Sequence, residues 1–114
     1  MVYTFDQIPA FEISRGFQAR MFHTEQMTLA LVEVADGAEL PVHHHFHEQV
    51  SNLLEGSFEF VIDGEKRVLH AGDSLVIPGN VPHGGRALSK CVILDVFTPV
   101  REDFVSGRVA YAVR

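Results

Sequence analysis

Apolar positions along this chain fall into short segments of β character separated by turn residues, and no helical period of about 3.6 persists long enough to define a helix. Phe17–Thr24 and Met27–Ala35 are rich in β-branched and aromatic residues, and Ala35-Asp36-Gly37 closes the second with a turn signal. Ser57–Ile62 and Lys66–His70 flank Asp63-Gly64-Glu65. An Asp-Gly pair accepts the positive φ angles of a tight hairpin, so these two segments are predicted to pair with each other. Gly72-Asp73 turns the chain into Ser74–Ile77, Pro78-Gly79-Asn80 breaks that segment, and Lys90–Thr98 is the most apolar strand of all. Short strands roughly every ten residues, with Gly, Asn and Pro between them, predict an all-β sandwich or barrel. In the tail Arg101–Arg114, the apolar positions Val105, Val109, Tyr111 and Val113 suit a final edge strand or a dimer contact.

Length and composition narrow the class. With 114 residues, the chain fits the ~100–200 residues of one domain, so residues 1–114 are expected to form a single domain with one hydrophobic core. Cys91 is the one cysteine, inside the apolar run Cys91-Val92-Ile93-Leu94, which excludes a disulfide framework and marks it as a small core residue. Nine Lys and Arg against 15 Asp and Glu, with no basic cluster, give no footprint for a phosphate backbone, so no nucleic-acid partner is expected. No stretch approaches the ~18 apolar residues of a membrane span. Met1-Val2-Tyr3-Thr4-Phe5-Asp6-Gln7 has neither a basic nor an apolar leader region, so the expected compartment is the cytoplasm and no membrane partner is expected.

Four of the seven histidines lie in His43-His44-His45-Phe46-His47. If this stretch enters a strand, His43, His45 and Gln49 share one face while His44 and Glu48 face the other way. His83 comes from a separate turn after Pro82. Three imidazoles with a neutral amide oxygen would bind a divalent first-row metal and leave coordination positions open. His44 is removed by parity, and His47 is read as a residue that supports a ligand or meets solvent. His23 and His70, alone in their strands, read as satisfied or exposed side chains.

The spacing of these residues resembles the cupin family. Gly37, five residues, His43, one residue, His45, three residues, Gln49, six residues and Gly56 match its first motif, except that glutamine stands where glutamate is usual. Gly72, five residues, Pro78 and then His83 match the second, with Asn80 in place of its glycine and Ala87 in place of its terminal asparagine. The motifs cover residues 37–56 and 72–87. The resemblance implies a small, jelly-roll-like double-stranded β-barrel with a metal at its mouth. An amide in place of a carboxylate cancels no metal charge, so the centre would be the stronger Lewis acid.

A narrower resemblance adds Leu94-Asp95-Val96-Phe97-Thr98-Pro99-Val100-Arg101 to His45-Phe46-His47-Glu48-Gln49-Val50. Together they resemble the pectin-degradation cupins of the KdgF type, which open the ring of 4,5-unsaturated monouronates to linear 5-keto-4-deoxyuronate. The resemblance implies one divalent ion (Ni, Zn, Mn, Fe or Co) on His43, His45, Gln49 and His83, and catalytic roles for Asp95, Phe97 and Arg101. It also implies a uronate substrate and a homodimer, as small single-domain cupins often form. Since substrate and product are isomers, no redox cofactor is needed.

The residues support this chemistry on their own terms. Asp95 and Phe97 share strand parity, so both can face a barrel interior. A carboxyl beside a metal in an apolar barrel is placed for proton transfer. Phe97 would wall the sugar, and Arg101 offers a planar fork for its carboxylate. The plainer readings are an Asp95 that only hydrogen-bonds within the barrel, a Phe97 that is only core, and an Arg101-Glu102-Asp103 turn with weak solvated ion pairs. The rival functions are a metal-dependent cupin dioxygenase, a metal-dependent lyase or cyclase on another substrate, and a non-enzymatic sugar-binding module.

Overall fold

The computed structural model describes residues 1–106. Its ten strands are β1 (Phe11–Ser14), β2 (Phe17–His23), β3 (Thr28–Val34), β4 (Glu39–His43), β5 (Glu48–Glu55), β6 (Ser57–Ile62), β7 (Glu65–His70), β8 (Ser74–Ile77), β9 (His83–Ala87) and β10 (Cys91–Thr98). Helix among the described residues is confined to a 3-10 turn at Phe5–Gln7 and α1 (Glu102–Val105), neither long and apolar enough to cross a membrane. Val105 therefore ends a helix and not an edge strand, while Val109, Tyr111 and Val113 lie outside the described residues.

Two antiparallel sheets face each other, one in the order β1-β2-β3-β10-β5-β8 and the other β4-β9-β6-β7. From β3 onward the chain repeatedly crosses between them, which rolls the pair into a jelly-roll barrel. Asp63 and Gly64, both at positive φ, form the two-residue turn between β6 and β7, and Ile62 pairs with Glu65. β7 thus begins one residue earlier than its apolar pattern suggests.

The interior is built from register rungs. Val32, Ile93 and Leu53 stand side by side on β3, β10 and β5, and Val34 pairs with Cys91 beyond them. Phe58, Phe60 and Leu69 close over them from the opposite sheet, in one buried cluster. Full burial of each such side chain stabilises by roughly 1.5–3 kcal/mol. Cys91 is fully buried and free, as its apolar setting predicts. β9, His83-Gly84-Gly85-Arg86-Ala87, has no apolar alternation because its glycines answer to a close approach between strands. A Cβ on Gly85 would collide with the Glu59 carbonyl, and one on Gly84 would lie 2.7 Å from the Leu40 carbonyl.

Candidate metal centre and reaction pocket

His43 ends β4 directly opposite His83 at the start of β9, with ring centroids 4.4 Å apart. Gln49 is the second residue of β5, and His45 lies in the loop between β4 and β5. The stretch does not run straight from His43 to Gln49. It turns through His44–His47, and this turn, not the alternation of one strand, brings His45 to the other ligands. His44 and Glu48 are exposed, as parity predicts.

Each of the three rings is oriented by a main-chain carbonyl. The Nδ1 atoms of His43, His45 and His83 lie 2.9, 3.1 and 2.8 Å from the oxygens of Pro41, His47 and Val81. A carbonyl only accepts, so each Nδ1 carries the proton and each Nε2 keeps its lone pair. His83 Nε2 is buried without a hydrogen-bond partner. His45 Nε2 lies 3.1 Å from Gln49 Oε1, one acceptor against another. Such a contact is repulsive on its own and natural for neighbouring ligands of one cation, which stand about 3 Å apart at bond lengths of ~2.1 Å. Donor atoms of His43, His45 and His83 all lie within 4.8 Å of one another. The donor set therefore fits a divalent metal ion. Burial, with Arg101 and the neighbouring rings adding to it, holds His43 and His45 at about 4 and lowers His83, so all three are neutral and ready to ligate near pH 7.

Asp95 adjoins this set. Register places it between Ala30 on β3 and Ser51 on β5. Ser51 Oγ donates to Asp95 Oδ1 over 2.6 Å, and Gln49 Nε2 lies 2.9 Å from Ser51 Oγ and 3.4 Å from Asp95 Oδ1. Burial pushes the Asp95 carboxyl up to about 6, against the opposing pull of Ser51, Gln49 and Arg101. A carboxyl so placed can hold or release a proton near neutrality.

Arg101 and Phe97 take a different form from the one expected. Arg101 is fully buried, with its guanidinium carbon 4.8 Å from the Phe97 ring centroid and 4.1 Å from that of Phe104. Its Nε and Nη2 donate to the two carboxylate oxygens of Asp103 at 2.9 and 2.7 Å. The fork expected to meet a substrate carboxylate thus already holds one from its own chain, and the pair is not the solvated turn of the plainer reading. Phe97 is only 2% exposed and packs edge-on against His45 at 5.7 Å, so it backs His45 and Arg101 and does not form an open sugar wall. The charge of Arg101 still adds to the lowering at His43, His45 and His83 and opposes the rise at Asp95.

A family model described as Cupin domain matches residues 30–97, which include all four candidate ligands and Asp95. This chain belongs to the cupin family. The cupin is 35% identical over 103 residues to the pectin degradation protein KdgF of Dickeya dadantii (strain 3937), covering 88% of this chain and 94% of that protein. Among solved structures it superposes on KdgF from Halomonas sp. with a TM-score of 0.85 at 30% identity, covering 91% and 97% of the two chains. An RmlC-like cupin from Shewanella frigidimarina NCIMB 400 gives a TM-score of 0.84 at 35% identity over 90% and 93%.

Two further residues of this cupin stand beside the ligands: His47, already read as a support for a ligand or a solvent group, and Ser51, which motif reading passes over. His47 is 5% exposed; its carbonyl anchors His45, and its ring stands edge-on to His45 at 5.4 Å and stacks on Phe46 at 4.0 Å. It supports a ligand and does not meet solvent. Ser51 is fully buried, and its shared parity with Gln49 is the signal that places it in the barrel. Behind the ligands, a cavity of about 30 Å³ lies between His43, Gln49, His83 and Asp95 on one side and Phe58 and Phe60 on the other. At that volume it has room for a water molecule or two and none for a sugar. A depression of about 550 Å³ beside Arg15, Asp36 and Gly37 contains none of these groups.

Proposed function

We propose that this cupin is a metal-dependent enzyme of uronate polysaccharide breakdown that converts 4,5-unsaturated monouronates into linear 5-keto-4-deoxyuronate. The observation that carries the reading is the joining of a neutral three-histidine, one-glutamine donor set to the Asp95 carboxyl through Ser51, in a chain that resembles KdgF proteins along nearly its whole length. The ion is Ni, Zn, Mn, Fe or Co, all of which accept imidazole and amide oxygen. When bound, it supplies Lewis acidity, undiminished by any ligand charge, to a substrate oxygen.

The chain's own groups account for the proton movements. In the ring opening, the C1 hydroxyl loses its proton, the bond from C1 to the ring oxygen breaks, and that oxygen becomes the enolate oxygen on C5. Asp95 delivers a proton to C4 as the C5 ketone forms, so one proton moves from O1 to C4 and nothing is oxidised. Its carboxyl, held near 6, supports this exchange in both directions. Phe97 and the His47 carbonyl hold His45 in place. Arg101 sets positive charge beside the site and receives the uronate carboxylate once Asp103 yields its place.

The enzyme is further expected to act in the cytoplasm, which cell fractionation tests, and as a homodimer. Leu29, Val96, Val50 and Val76 form a register row across four strands, at positions whose side chains point away from the barrel interior, and Val76 is 56% exposed. Light scattering should give twice the 12.7 kDa chain mass; a chain that stays monomeric at high concentration removes the dimer. The catalytic reading is tested by following loss of the ultraviolet absorbance of a conjugated 4,5-unsaturated uronate, with protein before and after chelation and metal return. Metal-dependent acceleration over spontaneous decay is expected. No acceleration with any divalent metal overturns the reading, and oxygen uptake would then favour a dioxygenase.

A further inference from the structure

Ser51 is neither a candidate ligand nor the proton carrier, yet it is fully buried between the two. Its place follows from register: it pairs directly with Asp95 across β5 and β10, one inward position beyond Gln49. A hydroxyl has a single proton to give. With that proton on Asp95 Oδ1 at 2.6 Å, Ser51 Oγ can only accept from residue 49. The Gln49 amide meets this demand with Nε2 at 2.9 Å, and so turns Oε1 toward His45. A carboxylate at this position would set its oxygen against the Ser51 lone pairs. It would also stand about as close to Asp95 as Gln49 Nε2 does, at 3.4 Å.

We infer that Ser51 is a positioning residue that locks the Gln49 amide with its oxygen toward the histidines and aims the Asp95 carboxyl at the same site. The same donor and acceptor arithmetic accounts for glutamine standing where the first cupin motif usually has glutamate: residue 49 must donate to Ser51 and accept toward a cation at once. The inference rests on the metal-centre reading above.

Without the hydroxyl, only the longer 3.4 Å contact of Nε2 with Asp95 Oδ1 still favours the native orientation of the Gln49 amide, and the wrong one presents an NH₂ group to the ion. The test titrates Co²⁺ into metal-free wild type, Ser51→Ala and Ser51→Thr, reading affinity by competition with a chromophoric chelator and ligand geometry by the visible spectrum of the bound cobalt. Ser51→Ala is expected to bind Co²⁺ about 10- to 100-fold more weakly, as when a group that orients a ligand is lost, and to change the spectrum. Ser51→Thr, which keeps the hydroxyl, is expected to restore both to within a few-fold of wild type. Should Ser51→Ala prove too unstable to titrate, Ser51→Cys replaces it, with a similar volume and a weaker donor. Wild-type affinity and spectrum in Ser51→Ala overturn the inference, as does a threonine variant of normal melting temperature that binds as weakly as alanine. Failure of the uronate reading is separate: it would show as a wild type that binds Co²⁺ and leaves the unsaturated uronate unchanged.

Discussion

Two halves of one sheet solve opposite problems with the same alternation. Toward one end of β3, β10 and β5, the inward rungs are Val34–Cys91 and Val32–Ile93–Leu53; toward the other they are Ala30–Asp95–Ser51 and Thr28–Phe97–Gln49. The apolar half needs only volume and close packing, which many combinations of side chains supply. In the polar half every buried atom needs a stated partner, and Asp95 has room there because its neighbour on β3 is alanine. The apolar half therefore carries stability, the polar half carries the chemistry of the proposed function, and substitutions in the two should separate these properties.

The largest separation is expected at Asp95. Replacement by Ala or Asn should lower turnover of the unsaturated uronate by about 10²- to 10⁴-fold, the usual worth of a positioned proton carrier, while leaving one metal ion bound per chain. Steady-state kinetics with metal analysis checks this. Retained turnover would reduce Asp95 to a structural hydrogen-bonding group.

Leu53→Ala makes the converse case. Leu53 is 1% exposed and sits one rung from Ser51, on the apolar side. Its truncation should cost about 2–5 kcal/mol of stability, read by denaturant unfolding of the metal-free protein. Metal affinity and turnover at low temperature should stay within a few-fold of wild type. A Leu53→Ala protein that unfolds normally but loses its metal would show that the two halves are not separable.

The same contrast decides what was legible before the structure. β2, β3, β6, β8 and β10 coincide within a residue or so with their alternating segments, because there the core face imposes the period. β4 contains Pro41 and lies against the glycines of β9, where backbone approach replaces side-chain packing and leaves no pattern to read. His43, His45, Gln49 and His83 were legible from spacing and residue type, but the turn that brings His45 round was not, since a strand reading gives the same parity. Arg101 was legible as a cation. A local ion pair with Asp103 was readable from Arg101-Glu102-Asp103, but not its burial, which depends on the chain turning into α1 and setting Arg101 against the rings of Phe97 and Phe104. Ser51 reads as an ordinary polar residue until register sets it opposite Asp95.

Acid should act on the polar half first. His43 and His45 titrate at about 4 in the folded chain against 6.5 in the unfolded one, and His83 is shifted the same way, so unfolding takes up protons between those values. Their contribution is complete above about 6.5 and is lost progressively as the pH falls toward 4. Asp95 has the opposite sign: raised from 3.8 to about 6, it stabilises fully below 3.8 and loses that contribution as the pH rises through 6. Three imidazoles outweigh one carboxyl, so the melting temperature of the metal-free protein should drop on acidification from pH 7 to 4. Leu53→Ala should follow the same curve displaced downward, since no titrating group of the apolar half changes in this window. A flat profile would mean that the histidines are not desolvated as their burial implies.

The smallest effect is expected at Asp103, which under the proposed function competes with the substrate carboxylate for Arg101. Asp103 occupies Nε and Nη2, the edge of the guanidinium suited to a bidentate carboxylate, from a position with 26% of its side chain exposed. Asp103→Asn keeps the shape and removes the charge. It should lower KM for the uronate roughly two- to tenfold, within the worth of one weakened charge-assisted hydrogen bond, and leave kcat nearly unchanged because Asp95 and the ligands are untouched. It should also lower stability slightly, since Arg101 is fully buried and loses part of its compensation. A KM that rises more than tenfold would reverse the assignment: Asp103 would then hold Arg101 in the geometry the substrate requires, and the polar half of the barrel would extend through α1 as one preorganised unit.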